Sequence, residues 1–363
     1  MTDSGLTDLQ LPDHARGVRD DDVAPPDELV VTGAAGWLGQ NLVRAVAMSR
    51  ARVRCLVHEA GTGALLELLA PSVETLEGDV RDPAALDRLF EGLASPTVVH
   101  AAAVIHPRAR LRELFDVNVG GTQLLLDRAR RHGIHRFVHI SSNSPFGANP
   151  TPADRFTEAS SPNPYLAYGR SKLEAEELVR RAESRGDLET VILRPPWFYG
   201  PFQSERQSRW FAAVRRGRFP LVGDGNNRRS MVFTGNLVHG VLRAEVAAKA
   251  PAGAFWIADP EPYAMRDVLA TVRRALEAEG LAVRGNHQFG LPRVAGAVAE
   301  KLDRALQARD RYVQALHVLG ELKDTIACDV TTARRDLGYD PEVELFEGMR
   351  TSIRWCLARG VAL

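Results

Sequence analysis

Residues 29–48 read LVVTGAAGWLGQNLVRAVAM and predict a strand, a tight turn and a helix in succession. The run LVV is apolar and rich in β-branched residues, as a buried strand requires. The apolar residues of 40–48 recur at helical spacing. The glycines between these elements, Gly33, Gly36 and Gly39, therefore lie in a turn that leads from a strand into a helix.

Each glycine of this turn meets a separate steric demand of a phosphate-binding loop. Gly33 permits the tight turn, Gly36 lets the backbone approach a pyrophosphate, and Gly39 lets the helix pack closely on the strand. The start of the helix adds unpaired N–H donors for the anion. Trp37 and Leu38 stand within the same turn and are assigned to the same cofactor site. Considered alone, an ordinary glycine-rich turn remains an even alternative.

The second informative motif is YGRSK at 168–172. Tyr168 and Lys172 stand four residues apart, so their side chains project from one face of a predicted helix. At roughly 4 Å and an effective dielectric constant of about 20, the ammonium attracts a phenolate by about 4 kcal/mol, which would lower the pKa of Tyr168 by about three units. Tyr168 would then act as an acid or a base near neutral pH. A solvated helix face is the alternative when the pair is considered alone.

The order of motifs resembles that of the extended short-chain dehydrogenase/reductase family, from about Glu28 to the C-terminus. After the glycine turn come GDVRD, HAAA, VNVGGT, SSNSPFG, YGRSK and LRPPWFYGP, at 78–82, 100–103, 117–122, 141–147, 168–172 and 193–201. The 3-beta-hydroxysteroid dehydrogenase subgroup is the most similar in overall pattern. The resemblance implies an α/β fold with a doubly wound parallel sheet, a Rossmann domain, and a smaller C-terminal α/β portion that binds the substrate.

Catalytic residues follow from the same resemblance and are Ser142, Tyr168, Lys172 and Asn118. Counting back five residues from Gly147 selects Ser142 as the hydroxyl that binds the substrate oxygen, with Ser144 as the alternative. Lys172 would also hold the nicotinamide ribose. Asn118 would support the site through backbone and water contacts, and a plain helix cap is an equal alternative.

The remaining cofactor contacts are also implied by the resemblance. They are Asp79 and Val80 at the adenine ring, the small residues Ala101, Ala102 and Ala103 across the strand ends, and Pro195. The second strand, predicted at 53–57, ends without the acidic residue that captures a ribose 2′-hydroxyl. His58 follows where relatives that prefer NADP often carry arginine, whereas Glu59 would oppose a phosphate. The cofactor is therefore NAD or NADP, with a slight preference for NADP, and a surface histidine without a role is the alternative.

Departures from the sugar-modifying subgroups narrow the substrate. Dehydratases carry an Asp-Glu pair where this chain has Asn143 and Ser144, so elimination is not expected. Epimerases carry an asparagine where this chain has Trp197, and an indole suits an apolar substrate better. The substrate contacts are assigned to Asn143, Ser144, Trp197, Phe198 and Arg229. Core packing is the alternative for the aromatic residues, and a solvated loop charge is the favoured alternative for Arg229.

These residues predict an NAD(P)-dependent oxidoreductase that interconverts a secondary alcohol and a ketone on a hydrophobic, steroid-like or polycyclic small molecule. A sugar or nucleotide-sugar epimerase would use the same Ser142, Tyr168 and Lys172 and return the hydride to its original carbon. A third alternative is a non-catalytic regulator that senses NAD(P).

Composition sets the remaining expectations. The 363 residues are 45% hydrophobic and balance 46 basic against 46 acidic residues, so a large core is expected and a nucleic-acid partner is not. Three widely spaced cysteines form no metal pattern and suit a reducing cytoplasm. The sequence contains no apolar run of the roughly 18 residues needed to span a membrane. The resemblance also implies a homodimer.

The chain divides into four predicted segments: a flexible tail at 1–27, the Rossmann domain at 28–199 with returns near 232–259, the substrate-binding portion mainly at 200–345, and a C-terminal helix at 346–363. Within the third segment, Val294, Val298, Leu302 and Leu306 recur every four residues. This spacing predicts an amphipathic helix that covers the pocket or packs internally, with contact to a membrane surface as the less favoured alternative.

Overall fold

The computed structural model describes residues 22–108, 110–186, 188–284 and 289–363. Its strands are β1 (Glu28–Thr32), β2 (Arg52–Val57), β3 (Val73–Glu77), β4 (Thr97–His100), β5 (Arg136–Ile140), β6 (Glu189–Arg194), β7 (Trp197–Tyr199), β8 (Pro220–Val222), β9 (Arg228–Arg229), β10 (Met231–Phe233), β11 (Ala254–Trp256), β12 (Tyr263–Ala264) and β13 (Phe289–Leu291). Its helices are α1 (Trp37–Val46), α2 (Ala64–Glu67), α3 (Pro83–Phe90), α4 (Arg112–Phe115), α5 (Thr122–Arg131), α6 (Leu166–Glu183), α7 (Glu205–Arg215), α8 (Thr234–Val246), α9 (Met265–Ala278), α10 (Arg293–Gln307), α11 (Gln314–Glu321) and α12 (Leu345–Ala358). A π-helical turn, Asp116–Gly121, joins α4 to α5.

Seven parallel strands form the main sheet, in the order β3-β2-β1-β4-β5-β6-β11. The order runs outward from β1 to β3 on one side and from β4 onward on the other. The carboxyl ends of β1 and β4 therefore flank the topological switch point, where such sheets bind their ligands. This arrangement confirms the predicted doubly wound Rossmann fold.

Neighbouring residues of β1 enter separate cores on the two faces of this sheet. Val31 belongs to the core that includes residues of α1 and α8. Val30 belongs to the core that includes residues of α3, α5 and α6. Because helices cover both faces, the strand needs apolar residues at consecutive positions, which explains the unbroken run LVV.

The smaller portion is built around a third core that contains residues of α7, α9 and α12. It joins the sheet side through β10, which pairs in parallel with β7. The strands β9 and β12 form an antiparallel pair, and β8 and β13 form a parallel pair. These short pairs surround the chain that follows the LRPPWFYGP motif.

Of the predicted tail at 1–27, residues 1–21 lie outside the described residues. The next two residues contact α8. Asp22 accepts a hydrogen bond from Arg243 at 2.6 Å, and the Val23 N–H donates to the Val246 carbonyl at 2.9 Å. Within the described ranges, no helix is both long enough and apolar enough to cross a membrane.

Candidate functional site

The glycine turn packs directly against the HAAA segment. Gly33 has a φ of +71°, and a Cβ at this position would lie 2.6 Å from the Ala102 nitrogen. The Ala101 N–H donates to the Thr32 carbonyl at 3.2 Å. A Cβ at Gly39 would lie 2.2 Å from the Gly33 carbonyl oxygen. The turn therefore depends on its glycines, and it places the start of α1 at the switch point.

Trp37 and Leu38, in the first turn of α1, have different environments. Trp37 donates its indole N–H to the Pro201 carbonyl at 2.9 Å, and its ring lies 4.7 Å from that of Phe198. Leu38 is buried in the core beside α1. Trp37 thus connects the predicted cofactor loop to the LRPPWFYGP segment.

The switch point also contains a buried histidine that the sequence reasoning missed. His100 contacts the Thr32 hydroxyl through Nδ1 at 2.7 Å and the Thr122 hydroxyl through Nε2 at 2.9 Å. Burial lowers the pKa of His100 to about 3, so the ring is neutral. The sequence feature that could have identified His100 is its place as the first residue of the HAAA motif. The ring braces the ends of β1 and β4 against α5.

Charged groups gather where the adenosine end of a cofactor is predicted. Arg81 donates to Asp79 from its backbone N–H at 2.8 Å and from Nε at 2.9 Å, which lowers the pKa of Asp79. His58 Nδ1 lies 3.6 Å from the same carboxylate. Glu59 pairs with Arg108 at 2.8 Å, so its charge is balanced. Sequence reasoning assigned Asp79 and His58 but missed the two arginines.

Val80 occupies the interior beside these charges. It is buried, and a Cβ at Gly121 would lie 2.6 Å from its Cγ2 atom. Ala103, at the other end of the predicted cofactor contacts, is exposed, whereas Ala101 and Ala102 are half-buried. Pro195 is buried directly after β6. The structure therefore distributes these predicted contacts along the carboxyl edge of the sheet.

The three serine hydroxyls of SSNSPFG have different neighbours. The Ser142 hydroxyl lies close enough to the phenol of Tyr168 to lower its pKa. Its Oγ also lies 3.3 Å from that of Ser144. Ser141 instead donates to the Glu176 carboxylate at 2.6 Å. The structure thus places Ser142 beside the tyrosine and Ser144 beside Ser142. The hydroxyl of Ser141 instead contacts the buried Glu176.

The pKa predicted for the tyrosine is wrong in this structure. Burial raises the pKa of Tyr168 to about 12, and the nearby Ser142 hydroxyl only partly opposes that effect. The ammonium of Lys172 donates to the Ile140 carbonyl at 2.7 Å, and burial lowers the pKa of Lys172 to about 8. Desolvation is the largest cause of both pKa shifts, and the attraction that the spacing suggested is not among the causes of either.

A second buried histidine lies beside the lysine. Nζ of Lys172 is 3.4 Å from Nε2 of His139. Burial holds the pKa of His139 well below its usual value, with the lysine charge as a further cause. His139 pairs with His100 in the register of β4 and β5, and their ring centroids are 5.4 Å apart. Motif matching did not find this pair, because each residue is unremarkable within its own strand.

Asn118 connects the loop after β4 to α6. Its amide exchanges hydrogen bonds with the backbone of Val104, at 2.8 Å and 2.9 Å, and donates to the Ser171 hydroxyl at 3.0 Å. The residue lies inside the π-helical turn, so the helix-cap alternative is wrong. This position supports α6 three residues beyond Tyr168.

An ion pair that sequence reasoning missed joins α6 to the RPPW segment. Arg194 donates to both oxygens of Glu176, at 2.7 Å and 3.0 Å, and both side chains are buried. Glu176 lies one helical turn beyond Lys172. This spacing is the sequence feature that could have identified Glu176 as a buried residue near the site. The pair fixes β6 against the helix that carries the catalytic candidates.

The predicted substrate contacts fall into three groups. Trp197 packs on Trp210 with ring centroids 4.9 Å apart, and Phe198 packs on Trp37 as described above. Arg229 is buried, so the solvated-charge alternative is wrong. Its guanidinium donates to the Glu321 carbonyl, and Nε has no hydrogen-bond partner among the described residues. Asn143 is half-buried and Ser144 is buried beside Ser142.

Apolar side chains surround the tyrosine. Tyr168 belongs to a small cluster whose buried members are Leu111, Leu114 and Ala167 and whose half-buried members also include Val104, Phe115 and Tyr312. The site therefore combines a hydroxyl, a phenol and an amine with an apolar wall.

The model of the NAD dependent epimerase/dehydratase family matches residues 29–258. The chain belongs to this family. Within it, the chain is 40% identical over 344 residues to the uncharacterized protein y4nL of Sinorhizobium fredii, covering 92% of this chain and 96% of that protein. It is 32% identical over 329 residues to the 4-hydroxy-2-methyl-3-oxo-4-farnesyl-3,4-dihydroquinoline-1-oxide ketoreductase of Stigmatella aurantiaca, covering 88% and 93% of the two chains.

A solved member of the epimerase/dehydratase family has the same fold. The dTDP-glucose 4,6-dehydratase of Streptomyces venezuelae, solved with NAD bound, superposes with a TM-score of 0.71 at 25% identity and covers 92% of this chain and 98% of its own. The predicted membership of the extended short-chain dehydrogenase/reductase type is confirmed. The protein is thus an NAD(P)-dependent enzyme of that type.

Proposed function

We propose that the protein is an NAD(P)-dependent oxidoreductase that interconverts a secondary alcohol and a ketone on a hydrophobic small molecule. The observation that carries the proposal is the position of the Ser142 hydroxyl beside the Tyr168 phenol, with Lys172 one helical turn further along α6. The apolar cluster around Tyr168 supports a hydrophobic substrate. The Stigmatella relative is named as a ketoreductase of a farnesylated quinoline oxide, which supports the same reaction class.

The proposed mechanism assigns one task to each side chain. When bound, the nicotinamide supplies the hydride for reduction or accepts it in oxidation. Ser142 donates a hydrogen bond to the substrate oxygen and orients it toward Tyr168. Tyr168 donates its phenolic proton to the oxygen as the carbonyl is reduced, and takes it back in oxidation. A pKa raised by burial to about 12 keeps this proton on Tyr168 at neutral pH, which is the protonation state that reduction requires.

Lys172 and Asn118 are proposed to support these steps. The ammonium of Lys172 would hold the nicotinamide ribose and remain charged below its pKa of about 8. Asn118 would keep α6 in place through Val104 and Ser171. We assign the cofactor contacts to Gly33, Gly36, Trp37, Leu38, Gly39, His58, Asp79, Val80, Ala101, Ala102, Ala103, Tyr168, Lys172 and Pro195.

We propose NADP as the preferred cofactor. His58 and Arg81 both lie at Asp79, and the guanidinium of Arg81 would contact a 2′-phosphate. Glu59 would oppose that phosphate, but Arg108 balances its charge. These contacts favour a phosphate more than the sequence alone did.

The substrate contacts are assigned to Asn143, Ser144, Trp197, Phe198 and Arg229. Arg229 also favours a second candidate function, the epimerisation of a sugar or nucleotide sugar. A buried guanidinium with an unpaired Nε suits an anionic group, which a nucleotide sugar carries. The apolar cluster at Tyr168 favours the oxidoreductase.

Absorbance of the reduced nicotinamide tests the two functions. The enzyme is mixed with NADP⁺ or NAD⁺ and with hydrophobic secondary alcohols or nucleotide sugars, and with NADPH or NADH and the matching ketones. Net change with an alcohol or ketone supports the oxidoreductase. Isomer formation from a nucleotide sugar without net change in absorbance supports the epimerase. Absence of both products with all panels would contradict the proposed chemistry.

A further inference from the structure

The helix α10 has its apolar residues on the outside. The side chains of Val294, Val298 and Leu302 recur every four residues and are 69%, 49% and 50% exposed. We call these three residues the apolar face of α10. The opposite side of the helix carries Asp303, which is fully buried. A helix with only water outside it normally has the reverse arrangement.

The inner side of α10 is fixed by close packing and by polar contacts. His317 of α11 contacts the Asp303 carboxylate at 2.9 Å. A Cβ at Gly320 would lie 3.2 Å from the Glu300 Cα, and a Cβ at Gly296 would lie 3.0 Å from the Lys323 Cβ. The helix therefore cannot rotate its apolar face inward without separating these contacts and leaving a buried carboxylate unpaired.

The same helix reaches the catalytic candidates. The side-chain oxygen of Gln307 accepts a hydrogen bond from the Ala167 N–H at 3.2 Å, one residue before Tyr168. The ring of Tyr165 lies 5.0 Å from that of His317 beneath α10. Whatever meets the apolar face is consequently close to the cleft that contains Tyr168.

Positive charge borders the apolar face. Residues 293–311 contain three acidic side chains and five basic ones, namely Arg293, Lys301, Arg304, Arg309 and Arg311, all of them exposed. Each acidic group has a partner within the protein. Glu300 pairs with Lys323 at 2.9 Å and with Arg304 at 3.1 Å, Asp303 contacts His317, and the exposed Asp310 accepts from the Leu111 N–H at 2.8 Å. With five basic groups against three acidic ones, the net charge of this segment is basic.

We propose that α10 is an interfacial helix that seats the protein on an anionic phospholipid surface. An apolar face bordered by lysine and arginine matches an acyl layer beneath negative headgroups. A second copy of the chain fits less well, because it would bring the same basic residues together. Binding to a membrane surface is a property separate from catalysis. Delivery of substrate from the membrane would rest on the proposed hydrophobic substrate, but membrane binding itself does not depend on that proposal.

Sedimentation with vesicles tests the proposal without cofactor or substrate. The full chain should bind vesicles of phosphatidylcholine and phosphatidylglycerol, and binding to phosphatidylcholine alone should be weaker. The double variant Val298→Ser/Leu302→Ser should lose about a hundredfold in partitioning, and Lys301→Gln about fivefold. Leu68→Ser removes a side chain that is 81% exposed at the C-cap of α2 and should bind as the parent does. Thermal melts of each variant verify folding.

Three outcomes overturn the proposal. The first is no binding of the parent chain to anionic vesicles, and the second is equal loss in the Leu68→Ser variant. The third is a dimer, measured by light scattering, that the Val298→Ser/Leu302→Ser variant abolishes, which would assign the apolar face to a second copy. Because none of these readouts uses turnover, a failure here is distinguishable from a failure of the proposed oxidoreductase.

Discussion

The carboxylate of Glu176 receives two hydrogen bonds from the guanidinium of Arg194, at 2.7 Å and 3.0 Å, with both groups inside the protein. Glu176 lies on α6, one turn beyond Lys172, and Arg194 is the last residue of β6. Their contact is a fixed link between the helix that carries the catalytic candidates and the strand that leads into the RPPW segment. Removing the charge of Glu176 leaves the Arg194 guanidinium buried without its carboxylate, whereas Glu176 also pairs with Arg180 at 2.8 Å.

The substitution Glu176→Gln is therefore expected to lower the free energy of unfolding by about 3–5 kcal/mol. Urea denaturation measures the loss. Glu177→Gln is the matched control, because Glu177 is exposed and pairs with Arg181 on the helix surface, where such pairs contribute about 0.5 kcal/mol. The double change Glu176→Leu/Arg194→Met should recover most of the stability. Equal effects at 176 and 177 would show that the buried pair has no special role.

The substitution Tyr168→Phe is expected to reduce turnover by at least about a hundredfold, because it removes the proton donor. Cofactor binding, measured by fluorescence titration, should change little. Tyr165→Phe is the control. It removes a buried hydroxyl without a hydrogen-bond partner among the described residues, on the turn before α6. Retained turnover in the Tyr168 variant would remove this residue from the mechanism.

The rate of ketone reduction is expected to fall as the pH rises through about 8. Lys172 has its pKa lowered to about 8, so it is an ammonium below that pH and a neutral amine above it. Tyr168, with a pKa raised to about 12, keeps its proton throughout the accessible range and does not cause the decline. A profile of kcat/KM from pH 6 to about 10 measures the effect.

In the variant Lys172→Arg the cation stays charged over the whole range. Its remaining activity should consequently lack the decline above pH 8. A decline of unchanged position in this variant would assign the titration to another group.

The substitution Gly33→Ala is expected to abolish cofactor binding, because its Cβ would lie 2.6 Å from the Ala102 nitrogen and its φ is +71°. Gly92→Ala separates the two causes, since Gly92 has a φ of +70° but no atom within 4 Å of the added Cβ. Both variants should lose about 1 kcal/mol of stability from the left-handed backbone. Only the first should lose affinity for NADPH in a fluorescence titration. Similar affinities in the two variants would contradict the steric argument.

The local pattern of apolar residues and glycines was sufficient to predict the strand-turn-helix unit at the start of the sheet. The sequence predicts strand at 29–31 and at 53–57, and the structure has Glu28–Thr32 and Arg52–Val57. The helix predicted at 40–48 begins earlier, at Trp37, because Gly36 already serves as its N-cap. Such elements are set by neighbouring residues, so the sequence carries most of the information about them.

The properties of the catalytic candidates depended on distant residues and could not be predicted in the same way. The partners of Lys172 are Ile140 and His139, which lie at the end of another strand. Burial of Tyr168 depends on residues from α4 and from the chain before α11. Likewise, the spacing of Val294, Val298 and Leu302 predicts one apolar side of α10 but not whether that side faces inward. Orientation follows from the buried pair of Asp303 and His317.

The contact between Trp37 and Pro201 has a consequence for motion. Asn41, one turn further along α1, donates to the same carbonyl at 3.0 Å, so two side chains of this helix hold one backbone oxygen across the cleft. A hinge at this edge would have to break both hydrogen bonds and separate the rings of Trp37 and Phe198. The start of α1 and the segment 197–201 are therefore held together as one rigid unit.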